Sequence, residues 1–420
     1  MDCSKGPFSM THCIRLGVCL VAVLAGGSAW AQTADQSDEV TAETTAAPIA
    51  HVFVSNGSKI LAFSAAPNGK LTAVAGSPFN YNLSLMGENG HYLFGFQPSS
   101  VIIQSLAMAS NGALKKGATL NTAEYNAVSD CALTYWNGQG LRVDHTGADL
   151  YNAAVPADFP CDTSYQSFKI DDANGELTFL NNAGAILLGG ASLNILGNNK
   201  FVYTPSCGAA YGNSPYPYVG VFERLSNGEL ATTNSGVGLP PAPMDTTYPG
   251  GAVPGYYCPF SMATDPTDHA AIELNAFDNI GGGDGEGRFY GPVVIATFTA
   301  DSKGNLTTTS TDKNMAVAET GVGPMRMSLS GKLLAIGGTG LEIFHFNGGS
   351  PVTKYNTLLN TDSIGTILWD DSNHLYALGS TTKGATEIWV YTVTPTSVTE
   401  APRSPYAIPN AGSMVVQSLP

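Results

Sequence analysis

Ile60-Leu61-Ala62-Phe63-Ser64-Ala65-Ala66-Pro67-Asn68-Gly69-Lys70-Leu71-Thr72 reads as two short apolar-rich strands joined by Asn-Gly. Both turn residues tolerate the positive φ of a type I′ turn, so Asn-Gly between apolar runs is a strong hairpin signal. The Gly-x-Leu signature returns as Gly112-Ala113-Leu114, Gly175-Glu176-Leu177, Gly228-Glu229-Leu230 and Gly304-Asn305-Leu306, at intervals of 43, 63, 53 and 76 residues. In four of the five copies Asn precedes the Gly, and six or seven residues upstream stands Phe63, Leu106, Phe168, Phe222 or Phe298. A hairpin recurring at such intervals marks a repeat architecture made of β-sheet.

A second element precedes each hairpin: an apolar strand, a turn of Gly, Asp, Asn or Ser, then another apolar strand. Its copies are Leu83–Phe94, Leu141–Tyr151, Ser192–Tyr203, Phe260–Ile272, Met325–Ile336 and Thr366–Leu378. Joined to the hairpin, each unit has four strands, A to D. Strand B begins near His51, His91, Asp149, Lys200, His269, Lys332 and His374, which gives seven units. The first unit starts at its strand B (His51–Ser55), whereas Ser413–Gln417 is a strand A with nothing after it. Pairing the two leaves no unprotected edge. The expected fold is therefore all-β: a seven-bladed β-propeller of four-stranded antiparallel blades, closed by the C-terminal strand completing the first blade. Two stacked sheets would not produce a four-strand period.

Lys5 and Arg15, the apolar run Leu16–Leu24 and Ala29-Trp30-Ala31 form a secretory signal with an A-x-A cleavage site. The expected organisation is a signal peptide over 1–31, a flexible polar spacer over 32–48 and the propeller over 49–420. Export to the periplasm or medium follows, without a transmembrane anchor. The chain has 18 basic and 33 acidic residues, a net charge of −15, and losing Lys5, Arg15 and Asp2 makes it one unit more negative. Such a surface repels phosphate backbones, so nucleic acid is not an expected partner. A monomer is expected.

The A–B and C–D turns fall on one side of a blade and the B–C and D–A connections on the other. The first set is short. The second grows long in mid-chain: B–C connections near 154–164, 205–217 and 274–291, and D–A connections near 115–140 and 233–258. Long loops on a rigid scaffold are where function concentrates. Cys131, Cys161, Cys207 and Cys258 all fall in or beside them. An even count in an exported chain argues for two disulfides, and of three connectivities Cys131–Cys161 with Cys207–Cys258 joins neighbouring loops. The same loops are rich in aromatics. Tyr135, Trp136, Tyr165, Tyr216, Tyr257 and Tyr290 are the candidate ligand-binding rings, since such a side chain offers an apolar plate with a polar tip. No metal-ligand spacing or cofactor motif is present. Asp278–Gly287 is acidic and Gly-rich but lacks the spacing of a Ca²⁺ loop, and reads as a surface loop.

The pattern Val52-Phe53-Val54, Ile60-Leu61-Ala62-Phe63, Asn68-Gly69-Lys70-Leu71-Thr72 and Gly76-Ser77-Pro78-Phe79 resembles the blades of lactonase-family seven-bladed propellers, which include 6-phosphogluconolactonase-like enzymes and secreted bacterial relatives. The resemblance covers nearly the whole chain after the leader. It implies a lactone or sugar-derived ligand, hydrolysed or bound at the long-loop face of the channel, and His, Arg and Glu side chains around that channel. The family's Glu follows a strand B, and Ile272-Glu273-Leu274-Asn275 is the nearest match. Arg142 and Arg326 lie on innermost strands, where they could polarise an ester carbonyl. Glu273, Arg142 and Arg326 are thus the candidate catalytic residues. His51, His91, His145, His269, His345 and His374 all fall toward the short-turn face, which disfavours a histidine base among the long loops. A protein- or ligand-binding scaffold using the Tyr-rich loops of blades 3–5 is the alternative.

Overall fold

The computed structural model describes residues 46–98, 100–125, 141–154, 163–186, 192–209, 215–278 and 287–420, with backbone alone at 184–186, 208–209 and 215–216. The leader and most of the spacer expected before the propeller lie outside these residues. Among the described residues every regular element is a strand except one short 3₁₀ turn at Thr122–Tyr125. No helix among them is long and apolar enough to cross a membrane.

Strands pair antiparallel in chain order. Blade 2 is representative: Ser84–Glu88, Tyr92–Phe96, Ile102–Met108 and Leu114–Asn121 form one four-stranded sheet. Blades 6 and 7 share a sheet, because strand C of blade 6 (Gly338–Asn347) also pairs with strand A of blade 7 (Asn360–Trp369). The C-terminal strand Ser413–Ser418 pairs antiparallel with Ala50–Ser55, setting Val415 opposite Phe53, so the end of the chain completes the first blade. This is the closed propeller that the sequence predicts.

The core lies between blades. Phe53, Ile60 and Ala62 of blade 1 pack on Leu83, Leu93 and Leu106 of blade 2. Phe94 and Phe96 of blade 2 in turn meet Leu141, Leu150 and Phe168 of blade 3. A strand covered on both faces reads as a continuous apolar run, which is why Val52-Phe53-Val54 shows no polar alternation. Each fully buried Phe or Leu contributes about 1.5–3 kcal/mol by leaving water.

The recurring hairpins differ in detail from the type I′ expectation. In the first, Gly69 N–H donates to Ala66 O at 2.8 Å and Gly69 has φ +77°, whereas Asn68 is not left-handed. Pro67 fixes a φ near −65°, which suits the second residue of a type I turn and excludes type I′. The Asn instead caps the turn, its Oδ1 accepting Lys70 N–H at 3.1 Å, and Asn111, Asn174 and Asn227 do the same two residues on. Glycine is required twice over. Gly304 has φ +84°, and a Cβ there would stand 2.6 Å from the ring of Phe201, the first residue of strand B in the previous blade.

The expected loops are also shorter than the sequence suggests. Blade 4 extends as paired strands to Ala209 and from Pro215, and blade 5 to Asp278 and from Phe289. Residues 114–121 are strand D of blade 2 rather than loop. Continued pairing satisfies backbone N–H and C=O groups that a loop would leave to water. Cys207 and Cys258 form a disulfide with a Cα–Cα distance of 5.2 Å, joining strand B of blade 4 to strand A of blade 5 (Gly255–Thr264). Cys131 and Cys161 lie outside the described residues.

Candidate functional site

The innermost strands line a central channel. Leu141–Val143 and Met325–Met327, strands A of blades 3 and 6, are only three residues long, and each carries one arginine at its centre. Leu141 and Met325 beside them point into the inter-blade core, whereas Arg142 and Arg326 border the channel. Both guanidinium groups border the same two spaces. One is a partly open cavity of about 230 Å³ walled by strands A of blades 1, 2, 3, 6 and 7, toward their D–A ends. The other is a funnel of about 690 Å³ that opens at the A–B turns, with turn-side residues from around the whole ring contributing to its wall. The arginine pair stands where cavity and funnel meet.

Arg142 Nε donates to Leu193 O at 3.3 Å. Burial, and then the like charge of Arg326, hold its pKa well below the ordinary arginine value. Burial pushes Arg326 down to about 10. Among the described residues the Arg326 guanidinium has no carboxylate within ion-pairing distance; its backbone carbonyl accepts the Trp369 indole N–H at 3.2 Å. Two partly desolvated cations side by side, with no structural ion pair to account for Arg326, form a site that favours an incoming anion or a developing oxyanion.

A carboxyl group stands in the same channel. Glu88, the last residue of blade 2's strand A, borders both cavity and funnel. Burial raises its pKa, while an N–H donated by Gly90 at 2.5 Å works in the opposite direction. Sequence reasoning passed over Glu88. The signal was its place at the end of a strand A beside the A–B turn Asn89-Gly90, at the turn-side end of the innermost strand.

Glu273 is located elsewhere. It lies in strand B of blade 5 (His269–Asp278), is fully buried, and borders neither cavity nor funnel. Its Oε2 accepts Ser261 Oγ–H at 2.9 Å and Gly323 N–H at 3.0 Å, which ties blade 5 to the segment entering blade 6. Oε1 has no partner. Burial pushes this carboxyl up to about 8 against those two hydrogen bonds. The structure thus brings Arg142 and Arg326 together and sets Glu273 apart.

The candidate aromatic residues are dispersed. Tyr165 is wholly buried, its ring 4.7 Å from that of Phe222. Tyr257 is 4% exposed within the blade 4–5 core, where burial pushes its hydroxyl up to about 12. Tyr290 is half-buried and donates its hydroxyl to Pro243 O at 2.5 Å. Tyr216 is set opposite Gly208 in blade 4, its side chain outside the description, and Tyr135 and Trp136 lie outside the described residues. The blade 4–5 connection is clamped in place: Arg288 bridges Asp245 at 2.8 Å and Asp278 at 3.3 Å, both carboxylates being fully buried. Among the described residues no group of three His, Cys, Asp or Glu side chains converges as a metal site would. Residues 279–286 of the acidic Gly-rich segment lie outside them.

No family model matches the chain, and no curated protein sequence is similar to it. Solved structures are similar. A candidate 6-phosphogluconolactonase from Bacteroides fragilis superposes with a TM-score of 0.56 at 14% identity, covering 88% of this chain and 98% of its own. The periplasmic gluconolactonase of Pseudomonas aeruginosa gives 0.55 at 12%, covering 89% and 100%. A hypothetical selenium-binding protein from Sulfolobus tokodaii gives 0.54 at 11%, covering 88% and 94%. The chain has a lactonase-like propeller fold. Because that fold also carries a protein of another description, function has to be argued from the channel.

Proposed function

We propose that the protein is an exported lactonase-like propeller that binds a small sugar-derived lactone, or the acid it opens to, in its central channel and hydrolyses the lactone there. The observation that carries this reading is the half-buried pair Arg142 and Arg326 at the junction of cavity and funnel, with no carboxylate ion-paired to Arg326 among the described residues. A lactone carbonyl held between two guanidinium groups becomes a stabilised oxyanion when water adds. Glu88 is the carboxylate in the same channel. Its raised pKa brings it closer to neutrality, which improves it as a base for that water. Water adds to the carbonyl carbon, Glu88 takes its proton, and collapse of the tetrahedral adduct expels the ring oxygen, which takes that proton back from Glu88 to leave an open hydroxy acid. The Arg pair then holds the carboxylate product. A scaffold acting through loop aromatics has less support, because Tyr165 and Tyr257 are core residues and the Tyr290 hydroxyl is engaged.

The test is calorimetric binding of gluconate and turnover of glucono-δ-lactone by wild type, Arg326→Ala, Glu88→Gln and Glu273→Gln. A charge-assisted hydrogen bond contributes about 1.5–3 kcal/mol. Arg326→Ala is therefore expected to weaken gluconate binding about 10- to 100-fold. Glu88→Gln should keep binding and lose turnover, and Glu273→Gln should keep both. Absence of binding and of turnover in wild type, across a panel of aldonolactones, overturns the reading.

A further inference from the structure

The arginine pair accounts for one end of a ligand, and the space around it shows what the other end is like. The cavity, at about 230 Å³, is smaller than the roughly 300–1,000 Å³ typical of a small-molecule site, whereas the adjoining funnel of about 690 Å³ falls within that range. Funnel and cavity share Arg142, Arg326 and Glu88, so a ligand anchored on the arginines has its continuation in the funnel.

The charge pattern limits what that continuation can be. Apart from the two arginines, no Arg or Lys among the described residues borders the funnel. Its other formal charges are acids. Asp144 is occupied by Arg224 at 2.9 Å and Asp265 by His269 at 3.1 Å, and exposed Asp371 stands at the rim with Glu88 below. A second phosphate or carboxylate on the ligand would find no cation and would face these carboxylates. The remaining wall offers neutral hydrogen-bonding groups such as Thr146, Ser328 and Ser418, together with the apolar surface of Leu329, which is 54% exposed. Neutral hydroxyl and amide partners with an apolar plate suit an uncharged polyhydroxyl body.

We propose that the funnel at the A–B turns is a subsite for an uncharged sugar extension, so that the ligand is an aldonic acid or lactone bearing at least one further glycosyl residue, its acid end on Arg142 and Arg326. This rests on the reading of the channel given above.

The experiment compares gluconate, lactobionate (an aldonic acid carrying one galactosyl residue) and 6-phosphogluconate by calorimetry on the full chain. Wild type is expected to bind lactobionate at least tenfold more tightly than gluconate, with 6-phosphogluconate no tighter than gluconate. Leu329→Ser, which removes the apolar plate at an exposed rim position, should erase the lactobionate advantage and leave gluconate unchanged. Met244→Ser, at a similarly exposed position on the long-loop face, should leave both unchanged. Equal affinities for gluconate and lactobionate, a preference for 6-phosphogluconate, or sensitivity to Met244→Ser instead of Leu329→Ser overturns the subsite while sparing the channel reading. If none of the three acids binds wild type, the channel reading falls and the subsite with it.

Discussion

Glu273 holds a carboxyl group in a fully buried position with one oxygen unpartnered. Its pKa is raised from 4.5 to about 8, so the folded state binds this proton more tightly than the unfolded state does. Stability from this group is therefore fully present below pH 4.5 and is lost as pH rises toward 8. The expected decline is up to about 1.4 kcal/mol per pH unit in that window. Urea unfolding at pH 5, 6.5 and 8 should show it in wild type and a flatter profile in Glu273→Gln; equal slopes would remove Glu273 as the cause. At this scale the sequence was partly legible. Arg142 and Arg326 could be placed on innermost strands from the repeat pattern alone. Glu273 matched a motif that its surroundings do not support. The local pattern Ile-Glu-Leu-Asn is the same whether the strand faces the channel or a neighbouring blade, and only the packing of blade 5 against Gly323 distinguishes the two.

The hairpin is the element on which the repeat depends, and its glycine carries two separable costs. At Gly304 an alanine would combine a left-handed φ with a Cβ 2.6 Å from Phe201, whereas at Gly57, φ +79°, nothing lies within 4 Å. Left-handed backbone costs a non-glycine residue about 1–2 kcal/mol and overpacking about 1–3 kcal/mol more. Gly304→Ala is thus expected to destabilise by about 2–5 kcal/mol and Gly57→Ala by about 1–2 kcal/mol, measured by denaturant midpoints at constant m. Similar losses at the two sites would show that the inter-blade contact contributes nothing. The Cys207–Cys258 link closes a loop of 51 residues, for which chain entropy gives about 4 kcal/mol. Reduction, or Cys207→Ser with Cys258→Ser, should lower the melting temperature, and an unchanged value would mean that the inter-blade core alone holds blades 4 and 5 together.

For the molecule as a whole, closure is the decisive contact. Residues Ser413–Ser418 supply the innermost strand of blade 1 and bury Met414 and Val415 between blades. Truncation after Gly412 would expose the edge of Ala50–Ser55 and remove two buried apolar side chains, at about 1.5–3 kcal/mol each. The truncated chain is expected to lose cooperative unfolding and to associate through the open edge, as circular dichroism and size-exclusion chromatography would show. A monomeric truncation with unchanged melting would refute the role given to this strand. The propeller was legible in the sequence because strand period, turn residues and inter-blade glycines are local constraints repeated along the chain, and the unpaired strands at its two ends implied closure. The channel was not. Two arginines 184 residues apart become neighbours only when blades 3 and 6 take their places around the ring, and the long loops that drew attention in the sequence proved to be partly paired strand arms. Local chemistry along the chain determined the blades, whereas the depth, charge and open face of the channel depend on how the whole ring closes.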